Sequence, residues 1–138
     1  MRRIVYLSTA TALMSDDELM SILRQSRENN LRDQVTGLLL YSGGNFIQLL
    51  EGDTEAVGKV YARIEHDPRH HGCLQMVDAP ASERLFPQWA MGFRPEDGLP
   101  EHQKKEVATL VAAAPKSAST SDGRRALRLI ESFVQSMR

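Results

Sequence analysis

The chain has 138 residues, with 17 basic and 18 acidic side chains, a net charge of −1 and one cysteine. This is the length of one ordinary domain, and the balanced charge without a Lys/Arg block offers no general attraction for nucleic acid phosphates. The sequence has no apolar run long enough to span a membrane and no second cysteine for a disulfide or a thiolate metal site, so we expect a soluble cytoplasmic protein with no direct contact to nucleic acid or membrane.

Hydrophobic periodicity and turn residues predict five strands and four helices. The first helix begins at a capping box, in which Ser15 is the N-cap and Glu18 is the third helical residue. Asp53 caps the second helix, and Pro68 ends it. In chain order the predicted elements are a strand at 3–8, a helix at 16–30, strands at 35–41 and 45–51, a helix after Asp53, strands at 74–79 and 88–93, and helices at about 101–113 and 122–137.

This order of elements is typical of an α+β protein with a ferredoxin-like, five-stranded mixed sheet. We expect the first and third strands to be parallel neighbours at the sheet centre, beneath the first two helices. The last helix carries a wide apolar stripe that must pack on something: Ala126, Leu127, Ile130, Phe133, Val134 and Met137. We therefore expect the two C-terminal helices to cover the other face, with a core at 1–95 and a C-terminal helical segment at 96–138 of the same compact unit.

Gln48 is the most unusual residue of the predicted core. It lies within the apolar run Asn45–Glu51, where a buried amide is stable only if its donors and acceptors find partners. Strand alternation places Gln48 on the same face as Phe46 and Leu50. Tyr6 has the corresponding place in the first strand, so the phenol and the amide are able to share a hydrogen bond.

Three further motifs accompany this pair. They are Asn29-Asn30 at a helix end, Asp67-Pro68-Arg69-His70-His71 after the second helix, and Phe86-Pro87-Gln88-Trp89-Ala90-Met91 on the last strand. With Tyr6 and Gln48 they closely resemble the BLUF family of flavin-binding blue-light sensors, over residues 2 to 95. The resemblance implies a non-covalently bound flavin, with FAD expected and FMN or riboflavin as alternatives.

The resemblance also implies how the flavin is held. The ring is expected between the first two helices, with Ile22 and Ile64 closing on its two faces. Asn30 offers a donor and an acceptor to the O4 and N3–H groups, while Gln48 reaches N5 or O4 on one side and Tyr6 on the other. The polar residues expected at the pyrimidine and ribityl-phosphate side are Asn29, Arg63, Asp67, Arg69 and His71.

The mechanism implied by the resemblance is a photoreaction without a substrate. Blue light excites the flavin, and Tyr6 donates an electron and, through Gln48, a proton. Recombination leaves Gln48 rotated or tautomerised, and its changed hydrogen bond red-shifts the flavin absorption. Trp89 or Met91 is the expected receiver of this change, and the C-terminal segment is expected to pass it on.

The expected output is a protein contact. Because the chain is too short for a separate enzymatic domain, the resemblance implies a photoreceptor that is not an enzyme and that signals to an unidentified downstream protein. A homo-oligomer is expected from the apolar sheet edges and helix faces.

Each of these residues also has a purely structural interpretation. Tyr6 alone would be a core tyrosine, Cys73 a buried thiol, and Arg63 with Asp67 an exposed helical ion pair. Three other functions stay open: an acylphosphatase-like hydrolase, a small flavin-dependent oxidoreductase, and a protein-interaction module that is not photoactive. The first lacks a glycine-rich phosphate loop, the second lacks a substrate acid or base beside Gln48, and the third differs only in needing no flavin.

Overall fold

The computed structural model describes residues 1–12, 15–42, 44–85, 90–93 and 121–136. These residues form a mixed sheet with helices on both of its faces. The strands are β1 (Arg2–Ala10), β2 (Thr36–Ser42), β3 (Asn45–Gly52), β4 (His70–Pro80) and β5 (Ala90–Phe93), and the helices are α1 (Asp16–Arg32), α2 (Thr54–Glu65) and α3 (Ser121–Ser136). The predicted α+β class is confirmed.

The strands follow the order β4-β1-β3-β2-β5. β1 and β3 are central neighbours, but they run antiparallel, with Tyr6 opposite Gln48. The prediction of a parallel pair is wrong. The crossover through α1 keeps β1 and β2 in one direction and the β2–β3 hairpin reverses the chain, so β3 opposes both of its neighbours. Among the described strands, the parallel pair is β2 with β5.

The helix starts and the hairpin follow the sequence prediction. The Ser15 hydroxyl accepts a hydrogen bond from the Glu18 backbone N–H at 3.2 Å, and the Asp53 carboxylate accepts from the Glu55 backbone N–H at 3.2 Å. Gly44 has a φ of +85°, the left-handed conformation that a tight turn requires. The predicted helix at about 101–113 lies outside the described residues.

The two faces of the sheet hold separate apolar clusters. On one face, Ile4, Tyr6 and Leu50 pack against α2. On the other, Val5, Ile47 and Leu49 belong to a cluster with Ala126 and Ile130 of α3, the face on which the amphipathic stripe was expected to pack. None of the helices in the described ranges is long and apolar enough to cross a membrane.

An ion pair is buried on the α3 side of the sheet. Arg3 of β1 is 3% exposed and its Nε donates to the carboxylate of Glu51, which is fully buried on β3, at 3.2 Å. Arg3 also donates to the backbone carbonyl of Glu83 at 2.9 Å, and Arg84 donates to the backbone carbonyl of Glu51 at 3.1 Å. These contacts fasten the segment that follows β4 to the end of the central strands.

Candidate functional site

A cavity of about 40 Å³ lies between α1, α2 and the sheet. α1 and α2 supply apolar and small polar side chains to it, β1, β2 and β3 supply its floor, and the segment after α2 supplies charged groups. Its lining residues are Tyr6, Ser8, Ile22, Ser26, Leu39, Phe46, Gln48, Ile64, Asp67, Arg69 and His70. Six of these were predicted from the sequence as site residues: Tyr6, Ile22, Gln48, Ile64, Asp67 and Arg69.

Tyr6 and Gln48 form the floor of this cavity. They lie opposite each other in the β1–β3 register, and the Tyr6 hydroxyl donates a hydrogen bond to Gln48 Oε1. Both side chains are buried, at 3% and 2% exposure. Burial is the largest cause that raises the pKa of Tyr6 well above its ordinary value, so the phenol keeps its proton at neutral pH.

Unpaired polar atoms lie on the cavity floor and on the cavity-facing side of α1. Within the described residues, the buried side-chain atoms without a hydrogen-bond partner are Ser8 Oγ, Asn30 Nδ2 and Gln48 Nε2. Ser8 and Gln48 line the cavity. Asn30 follows Ile22 and Ser26 at intervals of four on α1, which places it on the same side of that helix. Because buried polar groups normally find partners, these three atoms suit a ligand with a polar edge.

Asp67 and Arg69 form a paired charge at the cavity wall. Arg69 Nε donates to the Asp67 carboxylate at 2.9 Å, and the Arg69 backbone N–H donates to the same oxygen at 2.9 Å. The side-chain hydrogen bond is the largest cause that lowers the pKa of Asp67 and raises that of Arg69. Arg69 Nη1 also donates to Gln25 of α1 at 3.2 Å, which ties this segment to the opposite wall.

His70, rather than the predicted His71, lines the cavity. Its ring centroid lies 6.4 Å from that of Tyr6 and 6.1 Å from that of Phe46. His70 Nε2 contacts the backbone carbonyl of Ile64 at 2.7 Å, so this nitrogen carries the proton and donates. His71 is exposed and lies opposite Thr9 on the β1–β4 ladder.

Several other predicted site residues lie away from the cavity lining. Asn29 is half-buried and accepts from Arg32 at 3.5 Å. Arg63 forms an ion pair with Asp33, which joins the end of α2 to the end of α1, and it does not pair with Asp67. Trp89 lies outside the described residues. The backbone of Met91 belongs to β5.

Five lining residues were not predicted as site residues: Ser8, Ser26, Leu39, Phe46 and His70. The sequence carries a signal for most of them. Ser8 and Phe46 lie two positions from Tyr6 and Gln48 on their strands, and Ser26 lies four positions after Ile22 on its helix. His70 could not be predicted as a site residue in this way, because its place depends on β4 beginning at residue 70.

The sequence model described as "Sensors of blue-light using FAD" matches residues 1–92. The chain belongs to this family, BLUF. It is a blue-light sensor with a flavin cofactor, FAD in the family description. The curated relatives include the photoactivated adenylate cyclase subunit beta of Euglena gracilis, 38% identical over 70% of this chain and 11% of that protein. They also include the blue light- and temperature-regulated antirepressor BluF of Escherichia coli strain K12, 33% identical over 86% of this chain and 28% of that protein.

Solved structures of light-responsive proteins resemble the chain in fold. The dark-state structure of the BLUF protein BlrB matches with a TM-score of 0.66 and 25% identity, over 99% of this chain and 96% of that chain. A bacterial light-regulated adenylyl cyclase matches with a TM-score of 0.63 and 32% identity, over 100% of this chain and 40% of that chain. This BLUF chain spans only about a tenth of the length of the cyclase subunits that it matches.

Proposed function

We propose that Tyr6 is the electron and proton donor of the light reaction and that Gln48 is the relay between Tyr6 and the flavin. The observation that carries this proposal is the buried hydrogen bond from the Tyr6 hydroxyl to Gln48 Oε1 on the cavity floor. When bound and excited by blue light, flavin supplies a strong one-electron oxidant. Tyr6 holds its proton at neutral pH and therefore has both an electron and a proton to give.

Gln48 is suited to a two-state switch. Its Oε1 accepts from Tyr6, which leaves the two Nε2 hydrogens for a partner on the cavity side. Rotation or tautomerisation of the amide exchanges a donor for an acceptor at the same place. The two arrangements are distinct hydrogen-bond networks, and light changes which of them is populated.

The ring is held by groups from both helices. Ile22 and Ile64 offer apolar contacts to its faces, and Asn30 offers a donor and an acceptor to its edge. The Asp67–Arg69 pair and His70 suit the more polar part of the cofactor, and Asn29, Arg63 and His71 stay outer candidates for the same role.

We expect the light-induced change to pass across the sheet through residues that are paired on neighbouring strands. Tyr6 lies opposite Gln48, Gln48 opposite Leu39, and Leu39 opposite Met91 of β5. Leu39 also lines the cavity, so a change at Gln48 is two strands away from β5. The C-terminal segment at 96–138, including α3, would carry the change onward.

The chain itself acts as a sensor and not as an enzyme in this proposal. Its relatives include adenylate cyclase subunits and an antirepressor, so the receiver is an enzyme or regulator contacted by the BLUF unit. A cytoplasmic location, homo-oligomer formation and the ferredoxin-like arrangement with two C-terminal helices on one face remain part of the proposal.

The test is the light-induced difference spectrum of two matched variants. Tyr6→Phe keeps the ring and removes the hydroxyl, and we expect it to bind flavin without a reversible red shift. Tyr41→Phe removes a hydroxyl from another buried ring, whose centroid lies 4.8 Å from that of Phe46. We expect this variant to red-shift like the wild type. A normal red shift in Tyr6→Phe would show that Tyr6 is not the donor.

A further inference from the structure

Tyr61 is a second buried tyrosine in direct contact with Tyr6. It belongs to the inward face of α2 and is 7% exposed. The two ring centroids are 5.5 Å apart with an interplanar angle of 64°, an edge-to-face arrangement. Tyr61 does not line the flavin cavity and has no part in the reaction proposed above.

Tyr61 also borders the outside of the molecule. Together with Arg2, Glu65, Cys73 and Gln75 it lines an open groove of about 430 Å³ between α2 and the edge strand β4. Tyr61 therefore stands between Tyr6, which lies in the flavin cavity, and a surface to which water has access. It is placed to exchange electrons with Tyr6 and protons with solvent.

We propose that Tyr61 is a secondary electron donor, which re-reduces Tyr6 after Tyr6 has been oxidised by the excited flavin. This inference rests on the proposed donor role of Tyr6. In the step, one electron passes from the Tyr61 ring to the Tyr6 phenoxyl radical, and the proton that Tyr6 had released returns to it through Gln48. The Tyr61 hydroxyl proton leaves to water in the groove. The net result is a flavin reduced by one electron, intact Tyr6, a Tyr61 phenoxyl radical and one proton in solvent.

The environments of the two phenols favour this direction. Burial, followed by the charge of Glu65, raises the pKa of Tyr61 to about 12, and a side-chain hydrogen bond with Gln75 opposes part of that rise. Burial also raises the pKa of Tyr6. Both phenols therefore keep their protons at neutral pH, and Tyr61 is the one that borders the groove, where water accepts the proton released on oxidation.

This side path competes with the reversible photoreaction. The Tyr6 radical normally recombines with the flavin, which closes the cycle without net chemistry. Each electron that Tyr61 supplies removes one molecule from that cycle, because the radical has then moved to the groove side. We expect the consequence under continuous strong light, as slow accumulation of a tyrosyl radical together with loss of oxidised flavin absorption.

The experiment is electron paramagnetic resonance of the FAD-loaded full chain under continuous blue light, with the reversible red shift recorded on the same samples. The chain has three tyrosines. The variants Tyr61→Phe and Tyr41→Phe therefore test, one at a time, the two tyrosines other than the proposed primary donor Tyr6 as the site of the radical. We expect the wild type and Tyr41→Phe to accumulate the tyrosyl signal. Tyr61→Phe should lose it while keeping the reversible red shift.

A second measurement leaves the phenol in place and so does not depend on the stability of a variant. Fluorotyrosine incorporated at residue 61 alone should add a fluorine splitting to the radical signal. An unsplit signal, or an undiminished one in Tyr61→Phe, overturns the role of Tyr61 and leaves the proposed function standing. A wild type without a reversible red shift overturns the role of Tyr6, and the inference about Tyr61 with it.

Discussion

Removing the charge of Glu51 should destabilise this BLUF domain more than any surface ion-pair change. In Glu51→Gln the guanidinium of Arg3 stays 3% exposed but loses its carboxylate partner. Breaking a buried pair in this way typically costs about 3–5 kcal/mol, because one charge is left without compensation. Such a cost is a large part of the roughly 5–15 kcal/mol that stabilises an ordinary domain. A fall in Tm on the order of 10–20 °C follows.

The neighbouring residue of β1 supplies the matched control. Arg2 pairs with Asp78 at 2.8 Å, but their side chains are 30% and 35% exposed. Asp78→Asn should therefore cost at most about 1 kcal/mol. Both variants would be followed by urea denaturation with circular dichroism, in the flavin-free and FAD-loaded protein.

A double variant separates the charge from the packing. Arg3→Met with Glu51→Leu replaces both charges by apolar groups, and its free energy of unfolding should return to within about 1–2 kcal/mol of the wild type. If Glu51→Gln proved no more destabilising than Asp78→Asn, the assignment of a buried, uncompensated charge at Arg3 would be refuted. The red shift should survive in every variant that binds FAD, because the pair lies on the α3 face.

Three further changes test the fold and the site. Gly37→Ala should destabilise the domain by more than about 3 kcal/mol in urea denaturation, because Gly37 has a φ of +154° and a Cβ there would lie 1.8 Å from the Leu49 carbonyl oxygen. A stable Gly37→Ala protein would contradict the β2–β3 pairing. Ile64→Ala should raise the Kd for FAD by roughly thirtyfold, about 2 kcal/mol for the removed methyl and methylene groups, in a fluorescence titration; an unchanged Kd would exclude contact with the ring. Arg69 lowers the pKa of Asp67, so the ionised Asp67 stabilises the fold fully above the ordinary carboxyl pKa. This stabilisation is lost as pH falls through the lowered pKa of Asp67. The Tm difference between wild type and Asp67→Asn should shrink over that acidic window, and a difference independent of pH would refute the pairing.

Local rules predicted the helix starts and the buried pair well. Ser15 and Asp53 cap their helices because short polar side chains satisfy the free N–H groups of the first turn, a demand that depends on a few residues only. The Tyr6–Gln48 contact followed from alternation in two strands that pair along the sheet centre. Alternation is unaffected by strand direction, so the prediction survived although the predicted direction was wrong.

Features that depend on several segments were harder to predict. The direction of β3 follows only when the crossover and the hairpin are combined. The choice between His70 and His71 depends on the start of β4, where Gly72 has a φ of +66° and the β1–β4 register shifts. Arg63 pairs with Asp33 on another helix, a contact that the spacing of Arg63 and Asp67 along one helix could not reveal.

The absorption spectrum of the purified, FAD-loaded wild type tests the central claim most directly. It would be recorded before blue light, after blue light and during recovery in the dark. The account predicts a flavin spectrum that shifts to longer wavelength without bleaching and then reverts, since the Tyr6–Gln48 network changes while the flavin undergoes no net reduction in a single cycle. A flavin that only bleaches, or a protein that stays colourless when FAD is added, would contradict it.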